Sequence, residues 1–203
     1  MSNKNHLLAA TSNGNKEILR EKALELRKSY NNKTIDHLSI KITKELINRF
    51  DFSNKNVHLF LPIENKKEVN TWHLYNIISS ISKLCTSIYN KEADKWECIS
   101  FKNKTAFTKT AFNVPVPCEY EYSNWKEIDI IIVPLLVFDI YGNRIGYGKG
   151  VYDQILNSIN SKCIKIGVSI FNISDEKIDS EPHDIALNYC QTPSKSHHFN
   201  QIV

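Results

Sequence analysis

The chain has 203 residues, 41% hydrophobic and 24% charged, which is ordinary for a globular domain with room for a sizeable core. Its net charge of +4 comes from 26 basic and 22 acidic side chains with no long basic run. That balance suits anionic small molecules and gives no reason to expect nucleic acid. The longest apolar run, residues 128–138, is broken by Asp129 and Pro134 and is too short to span a bilayer, so no membrane association is expected.

The polar amino terminus shows no secretory signal. Five scattered cysteines (Cys85, Cys98, Cys118, Cys163, Cys190) contain no C-x-x-C pair, which points to reduced structural thiols in a cytoplasmic protein. A monomer is expected.

Residues 1–14, rich in Asn and Ser, are expected to form a flexible segment ahead of a single domain over 15–203. From Lys16 onward Ile18, Leu19, Ala23, Leu26 and Tyr30 make the stripe of a first helix. Thr34 is a candidate N-cap for a second helix carrying Ile35, Leu38, Ile42 and Leu46. Val57–Leu61 reads as a buried strand stopped by Pro62, and Thr71 as the cap of a third helix reaching Leu84. Short strands are expected at Cys85–Tyr89 and Trp96–Phe101. The two prolines of Asn113-Val-Pro-Val-Pro117 withdraw N–H donors and argue against regular structure there. Ile130–Phe138 predicts a core strand, Tyr152–Asn160 a helix and Ile164–Ile170 a further strand. His197-His198 is expected in a mobile tail. Strand, loop, helix and strand in this order make a right-handed βαβ unit. The fold expected is α/β: a three-layer α/β/α sandwich with a mostly parallel central sheet.

The most specific stretch is Val133–Asp153, where an apolar run opens onto glycines at alternate positions, Gly146, Gly148 and Gly150. Glycines so spaced let backbone N–H groups converge without Cβ atoms in the way, and Lys149 among them adds a mobile positive charge. The pattern fits neither G-x-x-x-x-G-K-[ST], because Gly150 follows Lys149, nor G-x-G-x-x-G. It predicts an anion site beyond the carboxyl end of a strand, the usual ligand position in such sheets. A tight turn that merely needs positive φ is the plainer alternative. Asp153, in the first turn of the following helix, is either a favourable partner of the helix dipole or a ligand for Mg²⁺ beside bound phosphates. Lys16 and Arg20 project from one helix face, where two cations can grip a phosphate or simply be solvated.

Together these residues resemble the 5-formyltetrahydrofolate cyclo-ligase family from Lys16 to Thr192. The strongest part is Pro134-Leu-Leu-Val-Phe-Asp139 followed by Gly142-Asn-Arg-Ile-Gly146-Tyr-Gly-Lys-Gly150-Val-Tyr-Asp153. It is similar to the family's P-G-x-x-F-D-x-x-G-x-R-x-G-x-G-x-G-x-Y-D, with Leu135 in place of the first glycine. Lys16-x-x-x-Arg20, Phe60-Leu61, Glu68 with Thr71, Asn113-Val-Pro115-Val-Pro117 and His183-Asp184 through Thr192 match further family segments in order. Asn188 stands where the family usually has an aspartate, Val151 replaces a frequent tyrosine, and two extra residues fall near Asn65–Lys67.

The resemblance implies a sugar-phosphate isomerase/CoA-transferase-like architecture. It also implies ATP-dependent conversion of 5-formyltetrahydrofolate to 5,10-methenyltetrahydrofolate with ADP and phosphate released. The formyl oxygen would be phosphorylated and then displaced by N10. Lys149, Tyr152 and Arg144 would be catalytic. Lys16, Arg20, Arg144 and Gly146-Tyr147-Gly148-Lys149-Gly150-Val151-Tyr152-Asp153 would bind ATP. Leu61 and Glu68, with the loop from Gly148 to Tyr152, would bind the folate, and Asp153 and Asn188 would hold Mg²⁺. His183 beside Asp184 is a weak candidate for a catalytic dyad. The competing readings are a folate- or nucleotide-binding paralogue without turnover, which Asn188 favours, and an isomerase or CoA-transferase-like enzyme. Neither of the latter predicts the Lys16/Arg20 pair.

Overall fold

The computed structural model describes residues 12–110, 113–181 and 184–199. The expected flexible segment over 1–14 lies mostly outside these residues, as does His183. In chain order the elements are α1 (Ser12–Ser29), α2 (Asn32–Arg49), β1 (Asn56–His58), α3 (Trp72–Ile78), β2 (Lys83–Asn90), β3 (Lys95–Phe101), β4 (Phe107–Lys109), β5 (Pro115–Pro117) and β6 (Glu121–Ser123). They continue with β7 (Ile130–Pro134), β8 (Val137–Phe138), β9 (Arg144–Ile145), α4 (Val151–Ser158), β10 (Ile164–Val168), β11 (Tyr189–Gln191) and β12 (Ser196–His198). One-turn 3₁₀ helices lie at Glu64–Lys66 and Trp125–Glu127.

Eight strands form one sheet in the order β12-β11-β10-β7-β1-β2-β3-β6. The pairs from β11 through β2 are parallel, and β12, β3 and β6 add antiparallel edges. Alternation along β7 shows why two helical layers are needed. Ile130 and Ile132 face a core shared with Ile42 and Leu46 of α2 and Leu74 and Ile78 of α3. Ile131 and Val133 face Ile155 and Leu156 of α4 together with Cys85, Cys98, Cys163 and Cys190. The three-layer α/β/α expectation holds. The cysteines expected to be reduced are all free, and four of them are buried.

Six local expectations are corrected. The cap of α2 is Asn31, whose side chain accepts from the backbone N–H of Thr34 at 2.8 Å; Thr34 is the residue capped. The third helix stops at Ile78, because Lys83 and Leu84 pair alongside β1. Thr71 precedes α3 but donates its hydroxyl to Phe60 O at 2.6 Å instead of capping. The Pro115–Pro117 stretch is regular after all, an antiparallel strand against β4. Thr110 N donates to Val114 O and Cys118 N to Ala106 O, so cross-strand bonding falls on the even positions and the prolines face the other way. The expected strand Ile130–Phe138 breaks after Pro134, and its end turns into the β8–β9 hairpin. Finally, His197 and His198 lie in β12, the former against Phe138 and the latter stacked on Tyr189, so they form no tail.

Helix α1 belongs to neither layer. Leu19 packs with Ile145, Ile178 and Val137, which lays the helix across the β8–β9 hairpin beyond the carboxyl end of β7. The hairpin turn is pinned by Asp139, almost fully buried, whose carboxylate accepts from Tyr141 N, Asn143 N, Asn143 Nδ2 and Ile178 N at 2.9–3.0 Å. Gly142 sits at φ +81°, and a Cβ there would meet Leu187 O and the Phe199 ring at 2.9 Å.

Candidate active site

The glycine loop follows β9 and opens α4. Gly148 and Gly150 have φ of +78° and +65°, and Gly150 is the N-cap of α4. Both are exposed, as is Lys149. Nothing lies within 4 Å of a Cβ built on Gly146 or Gly150, so the strand-end concavity above the start of α4 is open.

Helix α1 holds the loop from one side. Lys16, Arg20 and Arg27 are four and seven residues apart and therefore share a face. Lys16 Nζ donates to Asp184 Oδ2 at 2.9 Å and lies 3.6 Å from Glu181. Arg20 Nε donates to Gly146 O at 3.0 Å, and its guanidinium would be 3.2 Å from a Cβ on Gly148. Arg27, only 3% exposed, donates to Tyr147 Oη at 2.7 Å and to Leu135 O at 2.8 Å. Sequence reasoning named the first two and missed Arg27. Continuing the stripe by two helical turns reaches it, although spacing alone does not tell a solvated arginine from a buried one.

On the other side Arg144 donates to Asp153 Oδ1 and, at 2.5 Å, to Ile185 O. Its side chain is 6% exposed, and burial lowers its pKa while Asp153 and Asp184 act to raise it. Asp153 is thus oriented by an arginine drawn from the same signature. Asn188 is placed elsewhere. Its Oδ1 accepts from Lys165 N at 2.9 Å, level with the start of β10, so its amide oxygen is already used. This placement lends no support to the expectation that Asn188 joins Asp153 at one metal; Asp184 is the residue of that segment that acts on Arg144.

Among the described residues no three His, Cys, Asp or Glu side chains gather as a metal cage. Asp153 supplies a single hard carboxylate oxygen beside the loop, the donor type that Mg²⁺ takes.

A cavity of about 560 Å³ opens beside the loop, walled by Trp72, Phe107, Ile63, Pro115 and Glu68. The Trp72 and Phe107 rings meet edge to face at 4.7 Å. Glu68 is 8% exposed and accepts from Ile63 N at 2.7 Å; burial raises its pKa, against the pull of that bond, Lys66 and Arg27. Its carboxyl acts on the Tyr147 hydroxyl, and the Lys66 ammonium lies over the Tyr147 ring at 4.7 Å, which joins the cavity wall to the glycine loop. Leu61 is buried at the strand end after β1. Tyr152 lies between the two parts, its hydroxyl pKa raised by burial and by Glu68 and lowered by Arg144. Val151 packs partly buried against the α4-side core.

Leu135, which departs from the family pattern, is accommodated by another glycine. A Cβ on Gly167 of β10 would lie 2.6 Å from Leu135 Cδ2 and from Leu187 Cδ1.

A mostly parallel sheet carrying a cation-flanked glycine loop beyond its carboxyl ends defines an α/β enzyme architecture with its site at the strand ends. Residues 12–193 match the 5-formyltetrahydrofolate cyclo-ligase family, and the chain belongs to it. A 5-formyltetrahydrofolate cyclo-ligase of Mycoplasma genitalium is 28% identical over 177 residues, 85% of this chain and 94% of that protein. The enzyme of that name from Escherichia coli K12 is 41% identical over 71 residues, 34% of this chain and 39% of its own. Among solved structures, 5,10-methenyltetrahydrofolate synthetase of Aquifex aeolicus superposes with a TM-score of 0.76 at 27% identity, covering 92% of this chain and 93% of that one. A synthetase from Mycoplasma pneumoniae shares the fold at a TM-score of 0.65 and 23% identity, covering 88% of this chain and 98% of that one. No helix among the described residues is long and apolar enough to cross a membrane.

Proposed function

We propose that the chain converts 5-formyltetrahydrofolate to 5,10-methenyltetrahydrofolate, with ATP hydrolysed to ADP and phosphate. The observation that carries this reading is the contact between the two halves of the site. Glu68 lines the cavity and acts on the Tyr147 hydroxyl in the middle of the glycine loop, and the Lys66 ammonium beside it lies 4.7 Å from the centroid of the Tyr147 ring. A flat, partly apolar substrate in the cavity would therefore present a polar group to whatever the loop holds.

The formyl oxygen is a poor leaving group, and phosphorylation makes it a good one. Phosphoryl transfer asks a protein chiefly for alignment and charge neutralisation. In this reading Lys149 and the loop N–H groups grip the transferring phosphoryl group. Lys16 and Arg20 exchange their present partners, Asp184 and Gly146 O, for nucleotide phosphates. Arg144 keeps Asp153 oriented and adds charge, and Asp153 would hold Mg²⁺, whose contribution is to neutralise the phosphates. Leu61, Glu68 and Tyr152 position the pterin and formyl group, and Val151 packs the loop onto the core. N10 of a reduced folate is nucleophilic enough to close the ring without a general base. Asn188 has no role here. The substrates are small molecules, with neither nucleic acid nor membrane involved, and the protein works as a cytoplasmic monomer.

The test is a direct assay of the purified chain with 5-formyltetrahydrofolate, ATP and Mg²⁺, following methenyltetrahydrofolate by its absorbance. Product should accumulate only when both ATP and Mg²⁺ are present. Binding of the folate without product at saturating ATP would overturn the enzyme reading and favour a sequestering paralogue.

A further inference from the structure

Tyr147 occupies the position between Gly146 and Gly148, where a phosphate cradle needs backbone and has no use for a bulky ring. Yet its side chain is gripped from three directions. Arg27 donates to its hydroxyl oxygen at 2.7 Å, which leaves the hydroxyl proton for Glu68. The Lys66 ammonium lies over its ring, 4.7 Å from the centroid. Lys66 belongs to the one-turn helix Glu64–Lys66. The same stretch is fastened to the end of α1 by Lys67, whose ammonium donates to Lys28 O at 2.8 Å and Tyr30 O at 2.6 Å. Glu68 in turn holds Ile63 N at 2.7 Å. A continuous chain of polar contacts thus runs from the buried Arg27 through the glycine loop to residues 63–68 of the cavity wall.

We propose that Tyr147 is a positioning residue, a clasp that couples the glycine loop to the cavity, so that filling one site preorganises the other. The geometry supplies the two conditions that coupling needs. Arg20 holds the base of the loop at Gly146 O, and the tip beyond it has room to shift, since Lys149 and Gly150 are exposed and a Cβ on Gly150 would touch nothing. The Glu68 carboxyl, by contrast, is buried, bonded to Ile63 N and electrostatically coupled to the Tyr147 hydroxyl, so a shift of Tyr147 changes its surroundings. A phosphate that draws the loop into one conformation fixes the Tyr147 hydroxyl, and with it the face that Glu68 turns to the cavity. By reciprocity, a ligand bonded to Glu68 favours that same loop conformation. Arg27 acts as the anchor, because it is held to Leu135 O and cannot follow the loop. The identity of the two ligands, ATP and a formylated folate, rests on the function proposed above; the clasp itself does not.

The experiment compares the wild-type chain with Tyr147→Phe, which keeps the ring beneath Lys66 and removes only the hydroxyl. Amide exchange at residues 63–68 is followed with and without a non-hydrolysable ATP analogue and Mg²⁺. 5-Formyltetrahydrofolate is titrated under the same two conditions. In the wild type the nucleotide should slow exchange at Ile63 and tighten folate binding by at least about fivefold, the lower end of ordinary coupling. In Tyr147→Phe the nucleotide should still bind, exchange at Ile63 should no longer respond, and the coupling should fall below about twofold. Lys66→Ala, which removes only the ring contact, should lose part of the coupling. A merely structural role for Tyr147 would lower the melting temperature and leave the coupling ratio intact, and that result overturns the proposal, as does wild-type exchange that ignores the nucleotide. If the exchange response is present and depends on Tyr147 while the folate fails to bind, the clasp stands and the assignment of the folate falls.

Discussion

Glu68 and His58 are both buried beside Tyr152, the first acting on its hydroxyl through charge and the second meeting its ring edge-on at 6.2 Å. Their surroundings differ completely. Around Glu68 each polar group has a partner: Ile63 N, Tyr147 and, through Tyr147, Arg27. Around His58 the neighbours are the rings of Trp125 and Tyr152, and both imidazole nitrogens lack a hydrogen-bond partner. A buried ionisable group can be kept by connecting it or by neutralising it, and the two choices have different consequences. The connected group can transmit a change in its partner. The neutralised one can only pack, and its burial lowers its pKa to about 3.

The largest effect expected belongs to neither region. Lys149 is exposed and makes no contribution to packing, so Lys149→Ala should leave thermal stability unchanged while cutting kcat by about 10²–10³-fold, the scale of one lost transition-state donor. Near-normal turnover would show that the loop's backbone does the work alone. Arg27→Met strikes the connected region. It strands Leu135 O and the Tyr147 hydroxyl away from water and should cost about 2–3 kcal/mol of stability. Chemical denaturation measures it, and a loss below about 0.5 kcal/mol would mean that the network is dispensable and the contrast with His58 unfounded.

The broad fold was legible in the sequence because period and punctuation agreed: apolar runs of strand length alternated with helical stripes, and β7 with α4 and β10 gave the parallel unit directly. The open backbone of the loop, with Gly148 and Gly150 at positive φ, was legible because glycines at alternate positions have few uses. What could not be read was fixed by tertiary geometry. The Pro115–Pro117 strand is allowed only because its ladder bonds fall on the intervening residues, a matter of register that sequence does not carry. Asn188 invited a metal reading by its place in a motif, but pairing beside Lys165 uses its oxygen for the sheet. Arg27 sat on the visible cationic stripe of α1, yet an arginine two turns from its neighbours looks the same whether it faces solvent or Tyr147. Glu68 follows Lys66 and Lys67 in sequence, which carries no sign of burial, and only the fold shows it buried.

The neutralised region yields a prediction of opposite character, visible in pH. An unfolded chain protonates His58 at the ordinary value of 6.5, whereas the folded chain does so only near 3, since burial among aromatic rings disfavours the imidazolium. Throughout that interval the unfolded state binds the extra proton, so stability is complete above pH 6.5 and is lost as the pH falls. The slope is about 1.4 kcal/mol per pH unit, which amounts to about 2 kcal/mol between pH 7 and pH 5. His58→Phe offers the same pocket an apolar ring that does not titrate, and should flatten this part of the stability curve while leaving stability at pH 7.5 within about 1.5 kcal/mol of the wild type. Urea denaturation at pH 5.0, 6.0 and 7.5 distinguishes the cases. Equal acid sensitivity in both proteins would mean that His58 meets a partner when it protonates, and the line drawn between connected and neutralised groups around Tyr152 would then have to be redrawn with His58 on the connected side.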